Sequence, residues 1–261
     1  MNVKRYLRAF GVMAALAAIV PASSPADISL DVSPAKYEKP IAAGKSETFA
    51  VLVKNPTASP MHILTSLSDF ELGVSGNYTF GPPGTAKYSM GKWMTVNPRE
   101  FDLAPNTSTQ VRVSIDVPAT AIGEYSSIIF FATRPTRHAG GMSISERVAS
   151  KIYEMVPDTV KISAQVDSIS EKQLADGPHY LIGMRNTGNA HVYMSGRVEV
   201  KQGEKLVDRI TLPSAMLVER SGKRVIDAYG KKLAPGEYSA VAMVDYGGPT
   251  LVAGKTTFTV R

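Results

Sequence analysis

Cysteine is absent from this 261-residue chain, tryptophan occurs once and histidine four times. Without cysteine there is no disulfide staple, no thiolate nucleophile and no thiolate metal site, so each folding unit has to be held by its own apolar core. The histidines His62, His138, His179 and His191 stand without metal-ligand spacing or adjacent acids and read as surface or rim residues. No stretch of ten or more residues carries a convincing helical period, which leaves strands as the building material. Hydrophobic residues at 44% against 20% charged describe a folded chain, not a disordered one.

Catalytic signatures are missing as well. Gly44-Lys45-Ser46 and Gly254-Lys255-Thr256 resemble the end of a phosphate-binding loop, but Lys39 and Pro249 stand where the earlier glycine belongs. Ser33-Pro34-Ala35-Lys36 fits S-x-x-K without its companion motifs, and G-x-S-x-G does not occur. We expect no enzyme, and therefore no catalytic residue, cofactor or metal. Nor is there a basic block with aromatics beside it, so nucleic acid is not an expected partner.

The beginning of the chain has the pattern of a secretory leader. Lys4, Arg5 and Arg8 precede an apolar run over 9–20, and cleavage fits after Ala22 or Ala26. That run is shorter than the ~20 residues needed to span a bilayer, and no second one follows. The expected division is a signal peptide over 1–26 and an exported remainder without a membrane span. Three cations leave with the leader, so 26 Lys and Arg face 23 Asp and Glu, a net charge of about +3.

From residue 27 onward strands and turns alternate. Phe49, Val51 and Val53 share one parity, as do Val111, Val113, Ile115 and Val117. Residues 125–132 are apolar on both parities, as a central strand requires. Residues 73–91 hold many Gly and Pro and read as a long irregular loop. A second series of strands is expected over 160–166, 179–185, 191–200, 224–228, 238–245 and 255–260, with 212–220 undecided. Strands every 8–15 residues argue for two immunoglobulin-like β-sandwiches, over 27–157 and 158–261. The halves echo each other: N-P-T-A-S-P from Asn55 against N-T-G-N-A from Asn186, and L-A-P followed by G-E-Y-S at Tyr125 and Tyr238. Shared sandwich geometry explains the echo, with corner or packing tyrosines at strand entries. Trp93 reads as a core side chain.

Between the halves lies M-S-I-S-E-R-V-A-S-K-I-Y-E-M-V-P, residues 142–157. Met142, Ile144, Val148 and Ile152 share one parity, interrupted by Glu146, while Arg147, Lys151 and Tyr153 share the other. An edge strand with this pattern offers unpaired backbone groups for another strand to bind. Lys151 reads either as a solvated edge charge or as an anchor for a carboxylate.

The order W-M-T-V-N-P-R-E-F-D-L-A-P from Trp93, T-Q-V-R-V-S-I-D-V-P, G-E-Y-S-S-I-I-F-F-A-T-R-P and S-K-I-Y-E-M-V-P resembles the N-terminal domain of PapD-like periplasmic pilus-assembly chaperones. The resemblance covers roughly residues 28–157. It implies an all-β chain with its two sandwiches in an L-shaped, boomerang arrangement. It also implies a periplasmic protein that lends the last strand of its first domain to a pilin-like subunit, working with an outer-membrane usher. On that reading Met142, Ile144, Val148 and Ile152 fill the subunit's groove, and cleft cations hold its terminal carboxylate. Pro34 stands near the place of the family's cleft arginine, leaving Lys36 as the nearest cation and Lys151 as its partner, one residue out of register when counted back from Pro157. The alternative is an exported adhesin, envelope scaffold or carbohydrate-binding accessory protein.

Overall fold

The computed structural model describes residues 29–137 and 143–261. The expected leader, His138 and Met142 fall outside them. In the first half the strands are β1 (Asp31–Ser33), β2 (Lys36–Pro40), β3 (Ser46–Lys54), β4 (Met61–Leu72), β5 (Tyr78–Gly81), β6 (Met94–Asn97), β7 (Glu100–Leu103), β8 (Ser108–Asp116), β9 (Glu124–Thr133), β10 (Thr136–Arg137), β11 (Ser143–Ile144) and β12 (Arg147–Met155). The second half holds β13 (Ala164–Leu174), β14 (Gly177–Asn186), β15 (Val192–Gln202), β16 (Lys205–Thr211), β17 (Met216–Val218), β18 (Lys223–Tyr229), β19 (Gly236–Asp245) and β20 (Val252–Val260). The chain is all-β in its described residues, as the alternating patterns require.

Two sheets enclose the first core. One has the order β1-β3-β8-β6, the other β2-β12-β9-β4-β5 with β7 on β4. Val51, Val53, Val111, Val113 and Ile115 are fully buried between them, which is the parity read from the sequence. Strand β9 is covered twice. Ile129 and Phe131 enter this core, while Ile128 and Phe130 join Phe70 and Tyr153 in a second cluster on the outer face. Burial on both sides is why residues 125–132 carry no alternation.

The second sandwich packs β13-β14-β18 against β16-β15-β19-β20, with β17 on β15. Its opening strand starts at Ala164, not at 160. Residues before it are tied elsewhere, the Asn189 and Thr187 amides donating to the carbonyls of Lys161 and Ser163. The undecided stretch 212–220 contains the short β17. Residues 73–91 are also less irregular than expected. The strand β5 pairs with the end of β4, and buried Asp69 accepts hydrogen bonds from the Thr85 and Ala86 amides and the Ser89 and Ser127 hydroxyls.

The echo between halves is a shared device. Asn55 Nδ2 donates to the carbonyls of Ser59, Leu103 and Ala104, and its Oδ1 accepts the Thr57 amide. Asn186 repeats this with the carbonyls of Ala190, Val218 and Glu219 and the Gly188 amide. Both side chains are buried, so their own polar atoms, which water cannot reach, are satisfied by these bonds. Tyr238 donates its hydroxyl to the Ala234 carbonyl at 2.7 Å, a tyrosine corner. Tyr125 packs on Trp93 instead, with ring centroids 4.4 Å apart.

Removing one of these asparagines strands several carbonyls at once. Asn55→Ala and Asn186→Ala are each expected to lower unfolding free energy by roughly 2–3 kcal/mol, measured by urea titration. An unchanged midpoint would show that the turns hold without them.

Candidate functional site: an open strand edge beside the domain junction

Strand β12 has two unlike halves. On one flank it pairs with β9 along its whole length, Arg147 to Met155. On the other flank β2 runs parallel to it, but only from Lys151 to Met155. The chain enters β2 from β1, which belongs to the opposite sheet, and the switch occurs at Pro34-Ala35. There the Ser150 hydroxyl donates to the Pro34 carbonyl and the Lys151 amide to the Ala35 carbonyl. Upstream, no described strand covers the outer flank of β11 and β12 over 143–150. Open backbone groups of this kind are what a foreign strand can bind.

The predicted strand-lending residues separate accordingly. Ile144 lies on the open flank, in β11, and is 39% exposed. Val148 lies there too, half-buried against the first core. Ile152 does not belong with them: it is fully buried in that core, and β2 covers its flank, so its side chain is committed inside its own sandwich. Nor is the segment one unbroken strand. The ladder is interrupted at 145–146, where Ser145 Oγ donates to the Thr133 carbonyl and the Glu146 amide to Thr133 Oγ1.

The two candidate anchors are brought together. Lys36 and Lys151 are direct partners in the β2–β12 ladder, so both side chains leave the same face. That face also carries Tyr153, whose hydroxyl donates to Glu219 Oε1 of the second sandwich at 3.0 Å. The one-residue offset counted from Pro157 therefore does not turn Lys151 away from the domain junction. Their ammonium groups go to different tyrosines. Lys36 Nζ lies 2.6 Å from Tyr193 Oη and 2.8 Å from Glu38 Oε1, while Lys151 Nζ donates to Tyr78 Oη and sits 3.8 Å from that ring's centroid.

Behind the lysines the junction is acidic. His191 Nδ1 is 2.5 Å from Glu124 Oε2, its backbone amide donates to Glu124 Oε1, and its Nε2 is 3.3 Å from Glu38 Oε1. Its ring packs against Tyr153 and Tyr193. Burial works to lower the His191 pKa, but the Glu124 hydrogen bond and the charges of Glu124, Glu38 and Glu219 outweigh it and hold the imidazole above its ordinary value. Burial pushes Glu219 up, and Glu154, whose two carboxylate oxygens are buried without partners, up to about 7. Arg220 spans the junction, donating to the carbonyls of Ile122 and Glu124 and lying 3.9 Å from the Tyr88 ring centroid.

The reading of the histidines as surface residues is thus corrected for two of the three described. His191 and His179 are buried, and all three sit between carboxylates: His179 between Asp176 and Asp227, His62 between Glu100 and Asp102. Except for Asp176, three residues before His179 in the turn into β14, these acids are distant in sequence or on facing strands, so spacing alone could not show them. Among the described residues no group of three or more such side chains is placed to hold a metal ion. No helix there is long and apolar enough to cross a membrane.

The fold, two sandwiches joined through a half-open strand, is similar to that of solved fimbrial chaperones. The chain is similar to the class 5 fimbriae chaperone CfaA, with 13% identity, a TM-score of 0.51, and 87% of this chain and 99% of that one covered. A chain from a chaperone–tip adhesin complex of CFA/I fimbriae biogenesis gives 13% identity and a TM-score of 0.50, over 87% and 98%. No protein-family model and no curated protein matches the sequence.

The junction makes stability depend on pH with a definite sign. His191, Glu154 and Glu219 all hold a proton more tightly folded than unfolded, so stability is fullest at low pH and lost as pH rises through their folded-state values. Glu38 is the opposite case: burial raises its pKa, but the Lys36 and Tyr193 hydrogen bonds prevail and hold it low, so its contribution is lost on acidification. The urea midpoint should therefore be highest at about pH 5–6.5 and decline above 7. Glu154→Gln should raise stability at pH 8 by roughly 1–3 kcal/mol and flatten the decline. A midpoint that rises steadily from pH 6 to 8 would contradict the assignment.

Proposed function

We propose that this chain is a periplasmic, non-enzymatic chaperone for pilin-like subunits, exported by a leader over 1–26. Its N-terminal domain, 27–157, lends the flank of β11 and β12 to a subunit with an incomplete sandwich. The C-terminal domain, 158–261, closes the other side of the junction. The observation that carries this reading is the abrupt end of the open flank at Lys151. A strand laid along 143–150 cannot continue, because β2 occupies the next positions. It has to terminate beside Lys36 and Lys151, two cations side by side on one face. A guest running parallel to β12 would bring its C-terminal carboxylate to that place, where charge-assisted bonds favour it. Tyr78, Tyr193 and Glu38 hold the two ammonium groups until then. The similar fold of fimbrial chaperones supports the same reading. Delivery to an outer-membrane usher follows from it as the next step.

The apolar contribution comes from Met142, Ile144 and Val148, with Ile152 retained in the chaperone's own core. A lent strand both satisfies the guest's edge hydrogen bonds and covers its exposed interior, and neither effect needs a catalytic group. Co-expression with the subunits encoded beside it should yield a 1:1 complex. Ile144→Asp, at an exposed position, should abolish it without changing the chaperone's melting temperature, and Val148→Asp should also disrupt it. Lys151→Gln should weaken the complex by about tenfold or more, about 1.4 kcal/mol. Retention of subunit by Ile144→Asp at wild-type affinity would refute strand lending.

A further inference from the structure

Glu146 sits in the middle of the open flank, where a chain built to fill an apolar groove has no use for a carboxylate. Its backbone is pinned: the amide donates to Thr133 Oγ1 and the carbonyl accepts the Thr133 amide, both at 3.0 Å. It therefore cannot turn over, and although the ladder breaks here, the Thr133 amide bond continues the register in which Arg147 faces Ala132 and Val148 faces Phe131, which sets Glu146 on the side of Val148. The two cations of β12 are held on the opposite face, and Arg134 is paired with Glu100. Arg147 lies 4.1 Å from the Phe130 ring centroid, and Lys151 is held by Tyr78. One carboxylate oxygen, Oε2, is covered from solvent and has no hydrogen-bond partner among the described residues. Glu146 is thus an acid on the open flank with one oxygen already covered and, among the described residues, no cation paired to it.

Sealing that surface over an unpaired carboxylate is unfavourable, whereas a cation delivered with the guest turns the cost into a charge-assisted pair. We infer that the client is a subunit whose groove carries a basic side chain, Lys or Arg, opposite Glu146, and that this pair selects it over subunits with wholly apolar grooves. The inference rests on the strand-lending reading above and adds the chemistry of the partner. Rejection of apolar grooves is as much a part of it as attraction, since specificity is a difference between affinities.

An inward charge at a sheet edge also discourages self-pairing, and the experiment separates the two roles. Purified full-length chaperone, wild type and Glu146→Gln, is titrated with each subunit encoded beside it, and its own oligomeric state is followed by light scattering. Glu146→Gln keeps the shape and removes the charge. The expected result is capture by the wild type, capture weakened at least tenfold by Glu146→Gln, and loss with Glu146→Lys that is restored when the subunit's groove Lys or Arg is exchanged for Glu. Equal capture by wild type and Glu146→Gln overturns the inference and leaves strand lending intact. Equal capture together with new self-association of Glu146→Gln overturns it as well and assigns Glu146 to edge protection. If the wild type retains no subunit, strand lending itself fails, and the inference falls with it.

Discussion

Backbone pairing on β12 is rationed by a neighbour that arrives late. Its outer flank is satisfied by β2 from Lys151 onward and by nothing described before it. Every buried amide and carbonyl needs a partner, so the covered half belongs to the sandwich and the uncovered half is available to something else. The cause is the crossing of the opening segment from one sheet to the other at Pro34-Ala35. Had β1 continued in register with β3, β12 would be an edge throughout. Had the crossing come several residues earlier, no edge would remain.

The same crossing delivers Lys36 to Lys151 and Glu38 to the domain junction. The junction is then a chain of shared groups: Lys36 with Glu38, Glu38 with His191, His191 with Glu124. Three carboxylates, Glu38, Glu124 and Glu219, converge on one imidazole, and a fourth, Glu154, is buried nearby on the other face of β12. A buried ion pair is weak evidence for stability, because desolvation offsets much of the Coulombic gain. Its effect here is positional. It ties the second sandwich to β2 and β9, the two strands that flank β12, so the point where the open edge ends and the contact between the sandwiches depend on the same side chains.

The cores were legible in the sequence because period-two burial leaves a direct trace. Val51, Val53, Val111, Val113 and Ile115 were assigned by parity and lie where parity put them. The asparagine echo at Asn55 and Asn186 was legible for a related reason: a buried side chain that must satisfy three carbonyls tolerates no other residue of its size. The failures have a common cause as well. Ile144, Val148 and Ile152 share a parity, and parity reports which face a residue is on, not what covers it. Ile152 differs from Ile144 only because β2, more than a hundred residues away in the chain, lies against one and not the other. His191 differs from its reading in the same way, since Glu124 and Glu38 come from the other sandwich, as does His179 in part, with Asp227 on a facing strand and only Asp176 close in sequence.

Sequence by itself determined the class of structure, the two cores, the turns between strands and the presence of an unusual segment between the halves, because all of these follow from local alternation and turn chemistry. Only the tertiary structure decided how much of that segment is open, which lysines meet, and which acids surround His191. Those are matters of which distant strand arrives at which residue, and hydrogen-bond pairing across sheets has no local signature to read.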